Sequence, residues 1–313
     1  MRVFYDLNNL VEFNNAIVTI GTFDGVHLGH QKVIAQLKEE ARKINGETVI
    51  ITFYPHPRKI IHQEQKPFHL LNSLAEKIKL LESFGVDNVV VVPFNEAFAA
   101  QTAEEYVQEF LMKKVHAHTI IVGYDHRFGK GRTGDYHTLE NYGKQLGFRV
   151  KEIPEKLLNE VIISSTKIRE ALMNGEVEVA NQFLGYHFFF EGKVIRGDQL
   201  GRTIGYPTAN LQIMGEDKLI PSNGVYAVRV IDKEGRSFEG MLNIGKRPTV
   251  DGTKLSIEVN IFDFDLDIYG ETLQVETITR LRDEIKFKDL DALIAQLAKD
   301  KETALSCLKE VGF

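Results

Sequence analysis

The sequence predicts two domains of different class, an α/β domain on a parallel sheet and then an all-β domain with a C-terminal helix. Three observations predict this. Strand-like and helix-like segments alternate up to about residue 184; short β-rich runs separated by turn signals follow Phe188; and an amphipathic helical pattern follows Asp289. With 313 residues, each half is long enough to bury its own core. A composition of 43% hydrophobic and 26% charged residues is that of an ordinary soluble globular chain.

Apolar runs at 17–20, 48–54, 88–92, 119–123 and 148–153 supply the strands of the first domain. Between them, Ser73 with Glu76 and Thr102 with Glu105 have capping-box spacing, and Gly85 stops the first of those helices. Such alternation implies parallel strands with helices on both faces, and ligands bind beyond the carboxyl ends of such strands. Residues 21–30, 53–57 and 123–129 therefore surround one crevice. In the second half the β-rich runs are 188–196, 225–232, 236–244, 255–264 and 271–280. Turns at Pro221–Gly224, Lys233–Gly235 and Asp251–Gly252 separate them, which suggests an antiparallel sheet or small barrel. Leu290, Ile294, Leu297, Leu305 and Leu308 share one side of the last helix. The switch of pattern at 184–187 sets expected domains of 1–184 and 185–313.

Bulk properties narrow the function. A net charge of −6 argues against a general nucleic-acid binder. The single cysteine, Cys307, excludes an internal disulfide and a zinc cluster, and suits a reducing cytoplasm. The most apolar run, Val89 to Pro93, is too short to cross a bilayer, and the N-terminus lacks a signal-peptide pattern. The expectation is a cytoplasmic protein with small-molecule partners and neither nucleic acid nor membrane; a homo-oligomer is left open.

Gly21–His30 follows the first apolar run and precedes a helical pattern, so it forms a strand, a glycine-rich bend and a helix start. That junction aims backbone N–H groups and the positive end of a helix dipole at an anion, and His27 and His30 stand where a phosphate would sit. A plain helix start with two surface histidines does not explain the clustering of Gly21, Gly25 and Gly29. Half a metal site lacks a third ligand nearby. Thr52–Pro57 reads alone as a rigid proline turn, but it faces the same crevice and brings His56 as a further donor to anionic oxygens. Gly129, Gly131 and Gly134 match the dinucleotide fingerprint but stand well past the strand end at Val122, so that reading is rejected for a basic loop. Ile163–Arg169 opens a short helix whose first turn carries Lys167 and Arg169, a placement the dipole disfavours unless a polyphosphate compensates.

In this order Gly21–His30, Thr52–Pro57, Val122–Gly129 and Ile163–Arg169 resemble the four motifs of prokaryotic FAD synthetases, nucleotidyltransferases with an H-x-G-H signature. The resemblance implies a Rossmann-like domain in which FMN attacks the α-phosphorus of ATP and pyrophosphate leaves. It implies that His27 and His30 hold the transferring phosphoryl oxygens, with Asp125 and His56 lining the site and Gly21, Phe23 and Asp24 binding the nucleotide. Ser164, Ser165, Thr166 and Arg169 then grip ATP. One departure stands out, since the family's third motif has Phe where this chain has His126.

The long segment Gly192–Asn210 contains no P-loop pattern. If extended, Thr208 and Asn210 offer a hydroxyl and an amide oxygen on one side, suited to Mg²⁺ that already carries triphosphate and water. Gly205-Tyr206-Pro207-Thr208-Ala209-Asn210 resembles the riboflavin kinase signature, and Gly224–Tyr226, Asn243–Gly245, Tyr269-Gly270 and Leu281–Phe287 extend the resemblance. It implies a six-stranded barrel that transfers the γ-phosphate of ATP to riboflavin, with Gly192, Gly205, Pro207 and Arg282 binding substrate or cofactor. A hydroxyl nucleophile needs a base, and Glu258 is the candidate. The alternative for Glu258 is an exposed strand residue alternating outward with Ser256 and Asn260. Asp263, Asp265 and Asp267 read as a solvated strand face, and Tyr186–Phe188 receives no role.

The expected function is therefore a prokaryotic bifunctional riboflavin kinase/FAD synthetase using Mg²⁺, ATP, riboflavin and FMN. A kinase with a degenerate N-terminal module is the alternative, and pyrophosphate release from ATP and FMN discriminates it. A nicotinamide-linked oxidoreductase rests only on the glycine triplet, and absence of NAD binding dismisses it.

Overall fold

The structure, a computed structural model, describes residues 1–61, 68–123, 125–153, 163–197, 200–215, 217–249 and 252–311. By packing, the chain divides into two compact units, residues 1–69 with 74–164 and residues 70–73 with 165–313.

The first unit contains a six-stranded parallel sheet in the order β1-β4-β3-β2-β5-β6. Its strands are β1 (Arg2–Phe4), β2 (Ile17–Ile20), β3 (Thr48–Tyr54), β4 (Asn88–Pro93), β5 (Thr119–Gly123) and β6 (Arg149–Ile153). Helices α1 (Leu28–Lys43), α2 (Pro57–Ile61) and α3 (Leu74–Ser83) follow in the first half of the unit. Both faces of the sheet are covered. Val18, Val49, Val90 and Ile120 pack into one apolar layer, and Ile17, Ile50, Val89 and Ile121 pack into the other with Ile34 and Leu37 of α1. Burial on both faces explains why these strands read as continuous apolar runs. The capping box at Thr102 and Glu105 forms as expected, and a π-helix over Tyr106–Met112 continues from it. The short strand β1 escaped the sequence reading because its three residues are too few for a period.

The sheet has one reversal. Successive strands β2, β3 and β4 step one way and β5, β6 the other, so the reversal lies between β2 and β5. Ligands of open parallel sheets bind at that point, beyond the carboxyl ends of the strands.

The second unit is a closed barrel ordered β10-β11-β8-β7-β12-β9. Its strands are β7 (Phe189–Ile195), β8 (Ala209–Ile213), β9 (Gly224–Ile231), β10 (Ser237–Thr249), β11 (Gly252–Ile261) and β12 (Thr272–Arg282). Closure removes exposed edges. The helix Leu290–Val311 starts on the Asp289 carboxylate, which accepts from Ala292 N at 2.8 Å, and packs Ala304 and Leu308 against Met241 and Phe262. Strand β8 lies where the sequence pattern shows no strand. Two of its residues, Asn210 and Gln212, are polar, so no apolar run announces it.

Packing and composition change at different residues. Helices Ser165–Asn174 and Val177–Leu184 precede the change of sequence pattern yet pack with the barrel. Asn181 explains this, donating to Thr277 O at 2.9 Å while its amide oxygen accepts from Phe188 N at 2.7 Å. Residues 70–73 dock there too, through Leu70 N to Asp217 O at 2.7 Å and Lys218 Nζ to Leu71 O at 2.6 Å.

Candidate active sites

The first site is built where β2 ends. Gly21 N donates to Ile51 O at 3.0 Å, tying the turn to β3. The chain then takes positive φ at Phe23 (49°), Gly25 (86°) and Val26 (33°). For Phe and Val such angles are costly, and strain of this kind gathers at functional sites. His27 caps α1, its Nδ1 accepting from His30 N at 3.4 Å, which places the ring proton on Nε2. The two imidazoles stack with centroids 3.7 Å apart, and Phe23 lies 4.8 Å from His30 on the side of the turn. Gly29 makes the stack possible, since a Cβ there would meet His27 Nδ1 at 3.1 Å. The first turn of α1 carries no acidic residue, so the helix dipole faces the site uncompensated. Gly29→Ala is expected to displace His27 and weaken turnover at this site while leaving the barrel's activity intact, checked by assaying both on one preparation.

Burial sets the charge here. His30 is held well below the ordinary histidine range, first by desolvation and then by His27 and Lys77. Its Nδ1 is buried and lacks a hydrogen-bond partner. An anion arriving at the helix start would supply what the imidazole lacks. Asp24 is buried in the turn itself.

The other expected residues fall in several places. Asp125 lies exposed on the loop that follows β5, across the sheet reversal from the turn; its neighbour Tyr124 lies outside the described residues. His56 sits beyond β3, its Nδ1 accepting from Arg58 N at 3.1 Å and its ring 4.8 Å from Phe68. Ser164 is exposed, Ser165 opens its helix, Thr166 is exposed and Arg169 is half-buried; from Ser165 onward they pack with the second unit. The glycine triplet is explained by packing: a Cβ at Gly134 would strike the Phe128 ring at 2.5 Å, and one at Gly129 would reach Ala103 N at 2.8 Å. The sequence motifs missed Lys77, a buried cation beside the turn.

The second site lies in the barrel. A cavity of about 340 Å³ is lined by Tyr206, Thr208, Asn243, Ser256, Glu258, Asn260 and Arg282, with Glu284, Phe287 and Leu297 among its other walls. Glu258, Ser256 and Asn260 thus alternate toward a cavity, not toward bulk solvent. Glu258 accepts from Ser256 Oγ at 2.8 Å and from Thr208 Oγ1 at 3.4 Å, and pairs in register with Asn210. Asn260 Nδ2 holds Pro207 O at 2.6 Å, fixing the loop that brings Thr208 in. Gly205 has φ of 81°, and Gly197 lies so close that a Cβ would sit 2.3 Å from Asn210 Nδ2. A second cavity of about 430 Å³ shares Thr208 and Pro207 and adds Arg202, Asp265, Asp267 and Tyr269. The aspartates assigned to a solvated face therefore include two that line this cavity. The loop residues Asp198 and Gln199, and Asp251 of the expected turn, lie outside the described residues.

Gly192 stands mid-strand in β7, against Leu211, and lines neither cavity. Arg282 does line the first cavity, but Asp300 holds its guanidinium, with Nη2 at 2.7 Å and Nε at 3.0 Å from the carboxylate. Gln296 Nε2 steadies the same carboxylate at 2.8 Å. Asp300→Asn is expected to cost about 2 kcal/mol, because it leaves a part-buried cation uncompensated, checked by the urea midpoint.

These features define a class: a nucleotidyltransferase-type α/β unit joined to a small-molecule kinase barrel. The sequence matches the FAD synthetase family over residues 11–167 and the riboflavin kinase family over residues 184–308. It is 39% identical over 304 residues to a bifunctional riboflavin kinase/FMN adenylyltransferase from Haemophilus influenzae, with 97% of each chain covered. The enzyme of that name from Bacillus subtilis is 37% identical, covering 93% of this chain and 92% of its own. A solved structure titled as a macrolide-efflux protein from Streptococcus pneumoniae superposes with a TM-score of 0.86 at 34% identity, covering 96% of this chain and 97% of that one. Among the described residues, no helix is long and apolar enough to cross a membrane. The chain belongs to the bifunctional riboflavin kinase/FMN adenylyltransferase family.

Proposed function

We propose that the barrel phosphorylates riboflavin to FMN and that the α/β unit joins AMP from ATP to FMN, giving FAD and pyrophosphate, in a reducing cytoplasm. We keep the functional division at 1–184 and 185–313, a reading supported by where the two family matches end and begin. One observation carries the proposal: a single chain holds an uncompensated helix start with stacked His27 and His30 and a barrel cavity presenting Glu258 beside Thr208.

In the barrel, the ribityl 5′-hydroxyl loses its proton to the Glu258 carboxylate while its oxygen bonds to the γ-phosphorus; the bond to the β-phosphate oxygen breaks and ADP leaves. Riboflavin occupies the first cavity and ATP the second, an arrangement supported by Thr208 lining both. The Thr208 hydroxyl beside the Glu258 carboxylate, with Asn210 opposite Glu258 in register but lining neither cavity, offers hard oxygens that would suit Mg²⁺. Bound there, Mg²⁺ would neutralise triphosphate charge. Among the described residues no cluster of His, Cys, Asp or Glu suits a metal, which is consistent with a cation held largely by substrate.

In the α/β unit, an FMN phosphate oxygen bonds to the α-phosphorus of ATP as the bond to the pyrophosphate oxygen breaks. No protein nucleophile is required, so catalysis rests on positioning and charge stabilisation. The His27 Nε2–H, His30 and the backbone N–H groups of the helix start hold the phosphoryl oxygens. Asp125 and His56 line the site, Gly21, Phe23 and Asp24 shape the nucleotide's seat, and the fourth motif keeps its ATP role on the family resemblance. Product analysis tests this: riboflavin, ATP and Mg²⁺ should yield FMN and then FAD. FMN accumulation with no FAD and no pyrophosphate would overturn the adenylyl-transfer half.

A further inference from the structure

The first site contains a buried charge held against the backbone of the turn. Lys77 on α3 is 6% exposed, and its Nζ donates to Thr22 O at 2.7 Å and more weakly to Thr52 Oγ1 at 3.4 Å. The Thr22 carbonyl already accepts from Thr52 Oγ1 at 3.1 Å, so it would stay paired without the lysine. An ammonium has three donors, and these two acceptors are its only hydrogen-bond partners among the described residues. Desolvation dominates its surroundings and brings its pKa down to about 8, opposed by Asp24. Burying this cation costs free energy that the buried Asp24 carboxylate offsets only in part.

Thr22 lies inside the turn whose next residues take strained positive φ and lead into the His27 cap. Whatever grips its carbonyl sets the direction of that turn. The charge also falls on His30, where Lys77 adds to the effects that keep the imidazole neutral.

We propose that Lys77 is a positioning residue of the adenylyl-transfer site, clamping the Thr22 carbonyl so that the Gly21–His27 turn is aimed at the phosphates with a positive charge behind it. This rests on reading Gly21–His30 as that site. Lys77 acts through the turn and touches no reacting atom.

Lys77→Met in the full chain tests it, because methionine nearly matches the lysine stem. FMN adenylylation should fall by on the order of 10²-fold in kcat, the size of losing one preorganised electrostatic contact. Riboflavin phosphorylation by the same molecules should not change, and adenylylation is read per folded molecule, because losing Lys77 takes a counter-charge from the buried Asp24 and lowers the melting temperature. A residue that merely supports the fold predicts adenylylation falling only in step with lost folded protein. That outcome, or wild-type adenylylation kinetics in Lys77→Met, overturns the proposal.

The wild-type pH profile gives a second test that needs no variant. The groups facing Lys77 are Asp24 from the turn and His30 from α1, with the Thr52 hydroxyl from β3 and Glu76 beside it on α3. Lys77 is charged below its value of about 8, so kcat/KM for adenylylation should decline above that pH, and a profile flat across it overturns the proposal. The underlying site is tested separately: retention of adenylylation in His27→Ala would refute the site itself, whatever Lys77→Met does.

Discussion

The double variant His27→Ala with His30→Ala is expected to form FMN from riboflavin and ATP at the wild-type rate but to make almost no FAD. The loss should reach at least ~10³-fold in kcat for adenylylation, since a single oxyanion-stabilising donor is commonly worth about 10²–10³. Two features set this size. His27 donates from Nε2 because its Nδ1 is committed to the helix cap, and the half-buried His30 stacks against it with a buried, unpaired Nδ1. Neither can be replaced by water without losing orientation. Pyrophosphate release from ATP and FMN, read beside ADP release from ATP and riboflavin, measures both activities on one preparation. Equal loss of both would mean that the variant had unfolded or that the two sites are not separate.

The same pair imposes a pH dependence. The His30 imidazole is neutral in the free protein, with its folded value depressed. Its contribution to stability is therefore complete above the ordinary histidine range and is lost as pH falls below about 6.5, where the unfolded chain takes up the proton first. Phosphates beside the ring reverse the balance, so ATP binding should draw in a proton at mildly acid pH. Calorimetry of ATP binding in buffers of different ionisation enthalpy reads that proton directly; no buffer dependence would show that His30 stays neutral beneath the phosphates.

Glu258→Gln is the second large effect. It keeps the size and the hydrogen-bonding reach toward Ser256 and Thr208 but cannot take a proton. Riboflavin phosphorylation should fall by ~10²–10⁴-fold, the usual worth of a positioned general base. The KM for riboflavin should change little, because the cavity walls remain. FAD formation from supplied FMN should persist, and only the conversion of riboflavin to FAD should stop. A Glu258→Gln protein with full kinase turnover would remove Glu258 as the base.

Much of the fold was legible along the chain. Strands β2 to β5 fall within a residue of their apolar runs, because burial on both faces leaves an unbroken apolar signature. The Asp289 cap and the Thr102–Glu105 box were readable because capping is local chemistry between neighbours in sequence. Strand β8 was not, since its pairing with β7 and β11 depends on distant partners and its own residues are mixed. Nor was the allegiance of residues 165–184, which the Asn181 bonds to Thr277 and Phe188 decide.

The sites divide the same way. His27, His30, Glu258 and Thr208 belong to short motifs whose spacing is itself the requirement of the chemistry, so a sequence can carry them. It also showed that a glycine-rich helix start and a run of short antiparallel strands share this chain; the closed six-stranded barrel came from the family resemblance. Lys77 stands 50 or more residues from Thr22 in sequence and meets it only because β2, β3 and α3 pack together. Which aspartates line a cavity, that Arg282 is held by Asp300, and that Gly192 packs within a strand were likewise decided by tertiary structure. Periodicity and capping report what a residue does to its neighbours in the chain, whereas desolvation and charge depend on everything folded around it.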